Sequence, residues 1–335
     1  MPGFEYKICV LIVTYGDRWQ FLKQVLTRVT DFKQVINIVV VDNASIYNVN
    51  EKAGELNNNR ITVITNKENT GSAGGYKTAI EYGINKTGAD LFFLLDDDNL
   101  PADDVADVLL KQWKKIAGAN NKKVLFCLRE DRVQHLRIAR GENPYRYYLV
   151  PDNFLGFNVF RIFHNQYSKL RNRFATQAYL SNVKMPYVPY GGLMLHRSII
   201  DDIGYPDERF FLYVDDSEYT YRITQNGGTI WLIPACKVVD IDKSQGIIYQ
   251  SKLFHSKLLD LWSFRSYYHI RNRMFFYSRW FIKDKFIFRL NKMLYLGYLK
   301  LISLLSGKSA EYKKLLVAVN DGLHGQLGRA NTDKF

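Results

Sequence analysis

Residues 91–101 read Leu-Phe-Phe-Leu-Leu-Asp-Asp-Asp-Asn-Leu-Pro, an apolar run that stops in three consecutive carboxylates. Five apolar residues ahead of a turn signal predict a strand buried on both faces, which calls for a parallel sheet covered by helices. Three like charges at the end of such a strand repel one another unless a cation sits among them. Alternation along an extended chain puts Asp96 and Asp98 on one side. Two hard oxygen ligands can meet one Mg2+ or Mn2+ there, and its remaining positions suit phosphate oxygens. The competing reading is a solvated acidic turn or a helix N-terminus.

The surrounding pattern agrees with a parallel sheet. Residues 8–14 are a continuous apolar run, and Phe21, Leu22, Val25, Leu26 and Val29 then recur at helical spacing. Residues 36–41 form a second buried strand ending at Asp42. A third strand is predicted over 61–65, a helix over 72–84 opened by glycines, and another helix over 103–117. Strands alternating with helices imply a doubly wound sheet, whose ligands bind beyond the C-terminal strand ends. Thr14, Asp42, Asn66 and Asp96 stand at such ends. Residues 128–182, rich in Arg, Asn, Tyr and Phe, read as an irregular insertion or lid. Residues 188–195 return to a strand, 209–224 carry a second acidic cluster, 229–233 close the sheet, and the chain is helical from about 251.

Composition narrows the partners. The chain of 335 residues is 47% hydrophobic, enough for one large α/β domain with an appendage. Cys9, Cys127 and Cys236 have no metal-ligand spacing and read as thiols in a reducing compartment. The N-terminal apolar run is too short for a signal or a span, so the expected location is cytosolic. Of the net charge of +13, +12 falls after residue 242, with 17 Lys or Arg against 5 Asp or Glu. These cations alternate with Trp280, Phe281, Phe286, Phe288, Met293 and Tyr298, a mixture that suits an anionic membrane surface better than nucleic acid. Leu290, Met293, Leu294, Leu301, Leu304 and Leu305 recur at helical spacing, while Lys283, Lys285, Arg289, Lys292 and Lys300 interrupt every stretch before a span is reached. This helix is expected to lie on a bilayer at the inner face of the membrane, or to pack its stripe on the catalytic domain.

Two further motifs carry chemistry. Asn69-Thr70-Gly71-Ser72-Ala73-Gly74-Gly75 precedes a helix, where glycines let a phosphate or sugar approach backbone N–H groups favoured by the helix dipole. No Gly-Lys-Ser/Thr follows, and the spacing is not the dinucleotide fingerprint, so the bland reading is a turn. Asp42 and Asn43, with Thr14 on the neighbouring strand, can bond a nucleobase and ribose or cap a helix. In the segment Phe210 to Arg222, the acidic residues form either a surface ion-pair network or a general base beside a metal–diphosphate.

In order, the segments VLIVTYGDR, VVVDNAS, NKENTGSAGG, FFLLDDDNLP, YGGLMLHR, FFLYVDDSEYTYR and YYHIRNR resemble the family-two glycosyltransferases of GT-A fold, over roughly residues 6–275. The resemblance implies an α/β fold with a Rossmann-like, mostly parallel central sheet and, here, a C-terminal helical extension. It implies a nucleotide-sugar donor, UDP- or dTDP-linked, a divalent cation and inversion at the anomeric carbon. Thr14 and Tyr15 match the first-strand nucleotide contact, Asp42 the nucleobase carboxylate, and Asp96 and Asp98 the metal-binding motif. Asp216 matches the catalytic base, with Asp215 beside it. Asn43, Asn69, Gly71, Gly74, Gly75 and Asp97 are expected around the donor, and Tyr190, Gly191, Gly192, Tyr213 and Trp231 along the acceptor. Many relatives place a metal-binding His after the last core strand, where this chain reads Val238-Val239-Asp240-Ile241-Asp242, so either Asp240 or Asp242 substitutes, or His255 serves as third ligand, or metal binding is weaker. Within the family, the Gly-Gly after Asn69 to Ala73, the Asp-Asp-Asp and the Asp-Asp-x-Glu-Tyr resemble bacterial galactofuranosyl- and rhamnosyltransferases of polysaccharide assembly. The expectation is therefore transfer of a hexose to a hydroxyl of a lipid-linked or polysaccharide acceptor. A catalytic domain over 1–250 would do this, with residues 1–125 binding the donor and residues 126–250 the acceptor, followed by a basic helical region over 251–335. Homo-oligomers through the C-terminal helices are a further expectation. A nucleotidyltransferase and a basic nucleic-acid-binding protein are the alternatives.

Overall fold

A computed structural model describes residues 5–162, 178–243, 249–250 and 252–335. Two compact units emerge. The first comprises residues 1–144, 179–211 and 215–245; the second comprises 145–178, 212–214 and 246–335.

In the first unit the elements run β1 (Ile8–Thr14), α1 (Trp19–Thr30), β2 (Val35–Asp42), α2 (Val49–Gly54), β3 (Ile61–Thr65), α3 (Gly71–Lys86), β4 (Leu91–Asp96), β5 (Asn99–Pro101), α4 (Val105–Lys115), β6 (Lys123–Arg129), α5 (Val133–Ala139), β7 (Val183–Met185), β8 (Leu193–His196), α6 (Ile199–Ile203), α7 (Asp215–Gln225) and β9 (Thr229–Asp240). Among the described residues the strands form one nine-stranded sheet of order β3-β2-β1-β4-β8-β6-β9-β5, with β7 on β9. β3, β2, β1 and β4 are parallel, and β6 and β9 are parallel. β8 lies between the two blocks, antiparallel to β4 and to β6. The fold is therefore α/β with a mostly parallel central sheet, as the strand–helix alternation predicts.

Every residue of β1 and every residue of β6 is buried, the signature of central strands covered on both faces. Leu22, Val25, Leu26 and Val29 of α1 and Trp113 of α4 close one face over Val10, Ile12, Phe93 and Leu95. Each such side chain contributes about 1.5–3 kcal/mol of burial. On the other face Gly83 of α3 brings the helix against Phe92 and Leu11, where an added Cβ would lie 3.1 Å from the Phe92 ring.

Three boundaries differ from the sequence reading. β8 starts at Leu193 rather than 188, because Gly192 adopts φ +98° and breaks the extended chain. β9 continues past Ile233 to Asp240. A bulge lets Cys127 pair with Ile233 and Leu128 with Lys237, so that Pro234 sits in the irregularity and removes no ladder hydrogen bond. The segment over 128–182 is not one insertion: β6 and α5 belong to the first unit, residues 145–162 to the second, and 163–177 lie outside the described residues. The single boundary at 250 is corrected accordingly.

The second unit contains α8 (Lys257–Asp260), α9 (Phe264–Trp280), α10 (Lys285–Leu305) and α11 (Ser309–Leu323). Gly322 allows α11 onto α9, since a Cβ there would lie 2.2 Å from the Arg271 carbonyl oxygen. The buried Arg271 guanidinium donates to the Gly328 carbonyl at 2.6 Å and lies over the Tyr268 ring. Residues 150–162 join this unit through Asp152, whose carboxylate accepts the N–H groups of Lys283 and Asp284 at 2.6 and 2.8 Å. α10 buries Phe288, Asn291, Leu299, Ile302 and Ser303. The fully buried Asn291 amide donates to the Asp152 carbonyl at 2.8 Å and accepts the Val159 N–H at 2.9 Å. Among the described residues no helix is long and apolar enough to cross a membrane.

Candidate active site

β1, β2 and β4 all deliver polar residues to the same sheet edge. β1 ends in Thr14, β2 in Asp42 and β4 in Asp96. The chain does not stay extended after Asp96: Asp97 and Asp98 form the turn between β4 and β5, so the simple alternation expected for Asp96 and Asp98 does not hold. Asn99 organises that turn. Its Oδ1 accepts the Asp96 N–H at 3.1 Å, and its amide donates to Asp98 at 3.0 Å and to Asp240 at 2.7 Å.

The acidic turn is held by a residue that the sequence reading passed over. Arg18, just before α1, donates Nε to Asp97 at 2.7 Å, one terminal nitrogen to Asp98 at 2.6 Å and the other to Asp242 at 2.8 Å. One guanidinium thus binds carboxylates from the β4–β5 turn and from the segment after β9. Tyr76 on α3 was also passed over; its hydroxyl lies 2.8 Å from the Leu95 carbonyl and from Asp96 Oδ1. Five carboxylates near one sheet edge need counter-charge, and that balance is the signal that picks out Arg18. Nothing in the sequence picks out Tyr76.

Charge remains in excess even so. Burial, then Asp96 and Asp97, push the Asp98 carboxyl up to about 7, against Arg18. Burial pushes Asp97 up to about 6, with Arg18 and Thr14 opposing. Asp240 is shifted upward by burial, although Arg129 pairs with it. Hard oxygen donors carrying more negative charge than their guanidinium partners neutralise fit a divalent cation. Among the described residues no three His, Cys, Asp or Glu side chains converge as ligands; the guanidinium of Arg18 occupies the centre of Asp97, Asp98 and Asp242 instead. Of the three proposed third ligands, Asp240 and Asp242 belong to this unit. His255 lies in the second unit, where its Nδ1 is 3.0 Å from Asp260.

The second acidic cluster divides. Glu218 and Arg222, one turn apart on α7, form the predicted ion pair at 2.5 Å. Asp215 and Asp216 stand outside it, in the first turn of α7 where the helix dipole favours carboxylates. Asp215 is buried and accepts from Ser72 Oγ at 2.8 Å; burial and the neighbouring Asp216 drive its carboxyl well above the ordinary range. Asp216 is only partly buried. Burial raises it to about 6, while the Ser217 N–H at 2.6 Å and hydroxyl at 3.1 Å hold it down. Asp215 thus has its carboxyl raised well above the ordinary range, and Asp216, raised to about 6, lies in electrostatic reach of Asp96. Tyr190 is buried beside them, its ring 4.1 Å from that of Tyr76 and its hydroxyl without a hydrogen-bond partner among the described residues.

Several of the expected donor-contact positions also serve packing. Gly71, at φ +74°, faces the Phe211 carbonyl, 1.9 Å from where a Cβ would sit; Gly75 meets Val13 at 2.6 Å and Gly74 meets Thr70 at 2.6 Å. The N–H groups of Thr70, Gly71 and Ala73 are taken by Asn43, Asn69 and the Phe211 carbonyl. The buried Asn43 is fully engaged, donating to Asn69 and Gly71 and accepting from Thr70 and Asn66. Thr14 is buried and donates to Asp97 at 2.7 Å, Tyr15 is exposed, and Asp42 accepts the Ser45 N–H at 2.8 Å.

The acceptor candidates scatter. Gly191 lets Asn99 approach, since a Cβ would lie 1.7 Å from Asn99 Oδ1, and Gly192 packs on Cys127. Trp231 is nine residues before Asp240 on β9, on the order of 25 Å along the strand, and lies under Lys184, so it is not at this edge. Tyr213 belongs to the second unit, with its ring against His269 and its carbonyl accepting from Asn272.

Residues 9–204 match the family described as Glycosyl transferase family 2, and the chain belongs to that family. It is a glycosyltransferase. It is also 22% identical over 325 residues to the dTDP-rhamnosyl transferase RfbF of Shigella flexneri, covering 96% of this chain and 97% of that one. Two solved structures share the fold. The mannosyltransferase PcManGT from Pyrobaculum calidifontis, in complex with GDP-Man and Mn2+, superposes with a TM-score of 0.53 at 16% identity, over 97% of this chain and 89% of that one. GalNAc-T7 with UDP, GalNAc and Mn2+ superposes with a TM-score of 0.56 at 16% identity, over 92% of this chain but 55% of that longer one. The fold is that of the GT-A glycosyltransferases.

Proposed function

We propose that the protein transfers rhamnose from dTDP-rhamnose to a hydroxyl of a lipid-linked or polysaccharide acceptor, with inversion, at the cytosolic face of a membrane. The observation that carries this reading is the end-to-end likeness to the dTDP-rhamnosyl transferase, which spans the catalytic unit and the helical region together. Asp96 and Asp98 would hold a Mn2+ or Mg2+, which when bound neutralises charge on the departing nucleoside diphosphate. Tyr76 fixes the carboxylate of Asp96, and Asn99 fixes that of Asp98. Asp216 takes the proton from the acceptor hydroxyl as that oxygen attacks the anomeric carbon in a single displacement. Asp215, buried and bonded to Ser72 with its carboxyl raised well above the ordinary range, leaves Asp216 to serve as the base. The nucleobase and ribose would meet Asp42 and Tyr15 at the ends of β2 and β1.

A donor panel tests the assignment. Hydrolysis of dTDP-rhamnose, UDP-galactofuranose, UDP-galactose, UDP-glucose and UDP-N-acetylhexosamines is measured with Mn2+ and with chelator. Preferential, Mn2+-dependent cleavage of dTDP-rhamnose is expected. Preference for UDP-galactofuranose would move the donor assignment to that sugar, and indifference to chelator would remove the metal from it.

A further inference from the structure

We infer that the outward face of α10 is a docking surface for an anionic phospholipid bilayer; the inference rests on the lipid-linked acceptor of the proposed reaction. A helix in a folded unit normally turns its apolar stripe inward. α10 carries a second apolar stripe. Its inner face buries Phe288, Leu299 and Ile302 and is fixed in rotation by Asn291, bonded to Asp152 and Val159. With the rotation fixed in this way, Phe286 is 74% exposed, Met293 63%, Leu301 57% and Leu304 64%, and Leu294 and Leu305 are exposed at one side of them. At about 100° per residue these six side chains fall in one arc of roughly 120°, over a length of about 30 Å. A contiguous apolar strip of that length on a soluble surface marks an interaction site.

Charge identifies the occupant. Lys285, Arg289, Lys292 and Lys300 fall in a second arc beside the stripe, and α10 contains no Asp or Glu. An antiparallel two-fold contact between two copies through this stripe would bring one basic row against the other, which disfavours that homodimer. A bilayer bearing anionic headgroups satisfies both arcs at once, leucines in the acyl boundary and cations at the phosphates. Trp280, half exposed at the end of α9, and the exposed Lys283 that follows it continue the same chemistry at the start of the helix.

The test is co-sedimentation of the full chain with phosphatidylcholine vesicles, with and without phosphatidylglycerol. The protein should pellet only with phosphatidylglycerol present and be released by salt. Leu301→Glu with Leu304→Glu should abolish pelleting, whereas Arg289→Gln or Lys300→Gln should weaken it about fivefold each. Both substituted leucines are exposed, so thermal melting should be unchanged in these variants. No pelleting, equal pelleting with neutral vesicles, or a concentration-dependent dimer abolished by the Leu301→Glu/Leu304→Glu change in place of vesicle binding would overturn the inference. Vesicle binding uses neither donor nor acceptor, and donor hydrolysis in vesicle-free buffer should match the unsubstituted protein. Failure of the catalytic reading would instead show as absent hydrolysis with vesicle binding intact.

Discussion

Arg18 and Asp216 show how single side chains set the chemistry of this site. Removing Arg18 leaves Asp97, Asp98 and Asp242 without their shared partner, and breaking one side of a buried ion pair costs about 3–5 kcal/mol. Arg18→Gln should therefore lower the melting temperature in chelator and regain some of the loss in Mn2+; an identical melt with and without Mn2+ would contradict the charge-balance account. Asp216 carries a pH signature. Its carboxyl, raised to about 6, is a competent base above that pH and is lost as the pH falls through it, so turnover should decline on the acid side near 6. Ser217→Ala removes the 3.1 Å hydroxyl contact that favours the anion and should move this acid limb to higher pH. Asp216→Asn should keep donor affinity and lose turnover by about a hundredfold or more. The carboxylates were legible in the sequence because charge at a strand end is a local signal. Arg18 and Tyr76 were not, because each owes its role to a partner some twenty to more than two hundred residues away.

At the scale of elements, the β4–β5 turn is the unit that matters. Asn99 binds the Asp96 N–H, Asp98 and Asp240, and it can enter only because Gly191 has no side chain. Gly191→Ala should displace Asn99 and impair Mn2+-dependent donor binding, measured by calorimetry, more than it lowers the melting temperature. Unchanged donor binding would relegate the turn to scaffolding. The strands and helices of the first half followed from apolar runs and helical spacing, which report burial directly. The end of β9 did not, since Pro234 signals a stop and only the bulge opposite Cys127 and Leu128 carries the strand on to Asp240. In the glycine-rich turn the close approach that the glycines allow within the protein is to Phe211, Val13 and Thr70, the first two too distant in sequence for a local pattern to report.

At the scale of the whole molecule, the charge imbalance seen in the sequence is a property of one unit, and the apolar stripe beside it faces outward rather than onto a core. The catalytic unit should respond separately to its ligands. Mn2+ with dTDP should raise its melting temperature, by an amount set by ligand concentration over Kd, and Asp98→Asn should abolish the gain. An equal shift in the variant would detach Asp98 from metal-dependent binding. The sheet also has a history written into its strand order. β8 separates β4 from β6, yet Leu193 is made about a hundred residues after its partner Leu94, on the order of 5–20 s later on a ribosome. Until then β4 lacks a permanent neighbour on one edge and β6 on both, since β9 is made later still, and such edges are what aggregation recruits. The emerging chain therefore passes through an interval in which its future centre is its stickiest surface, and a nascent-chain chaperone is the natural companion of that interval.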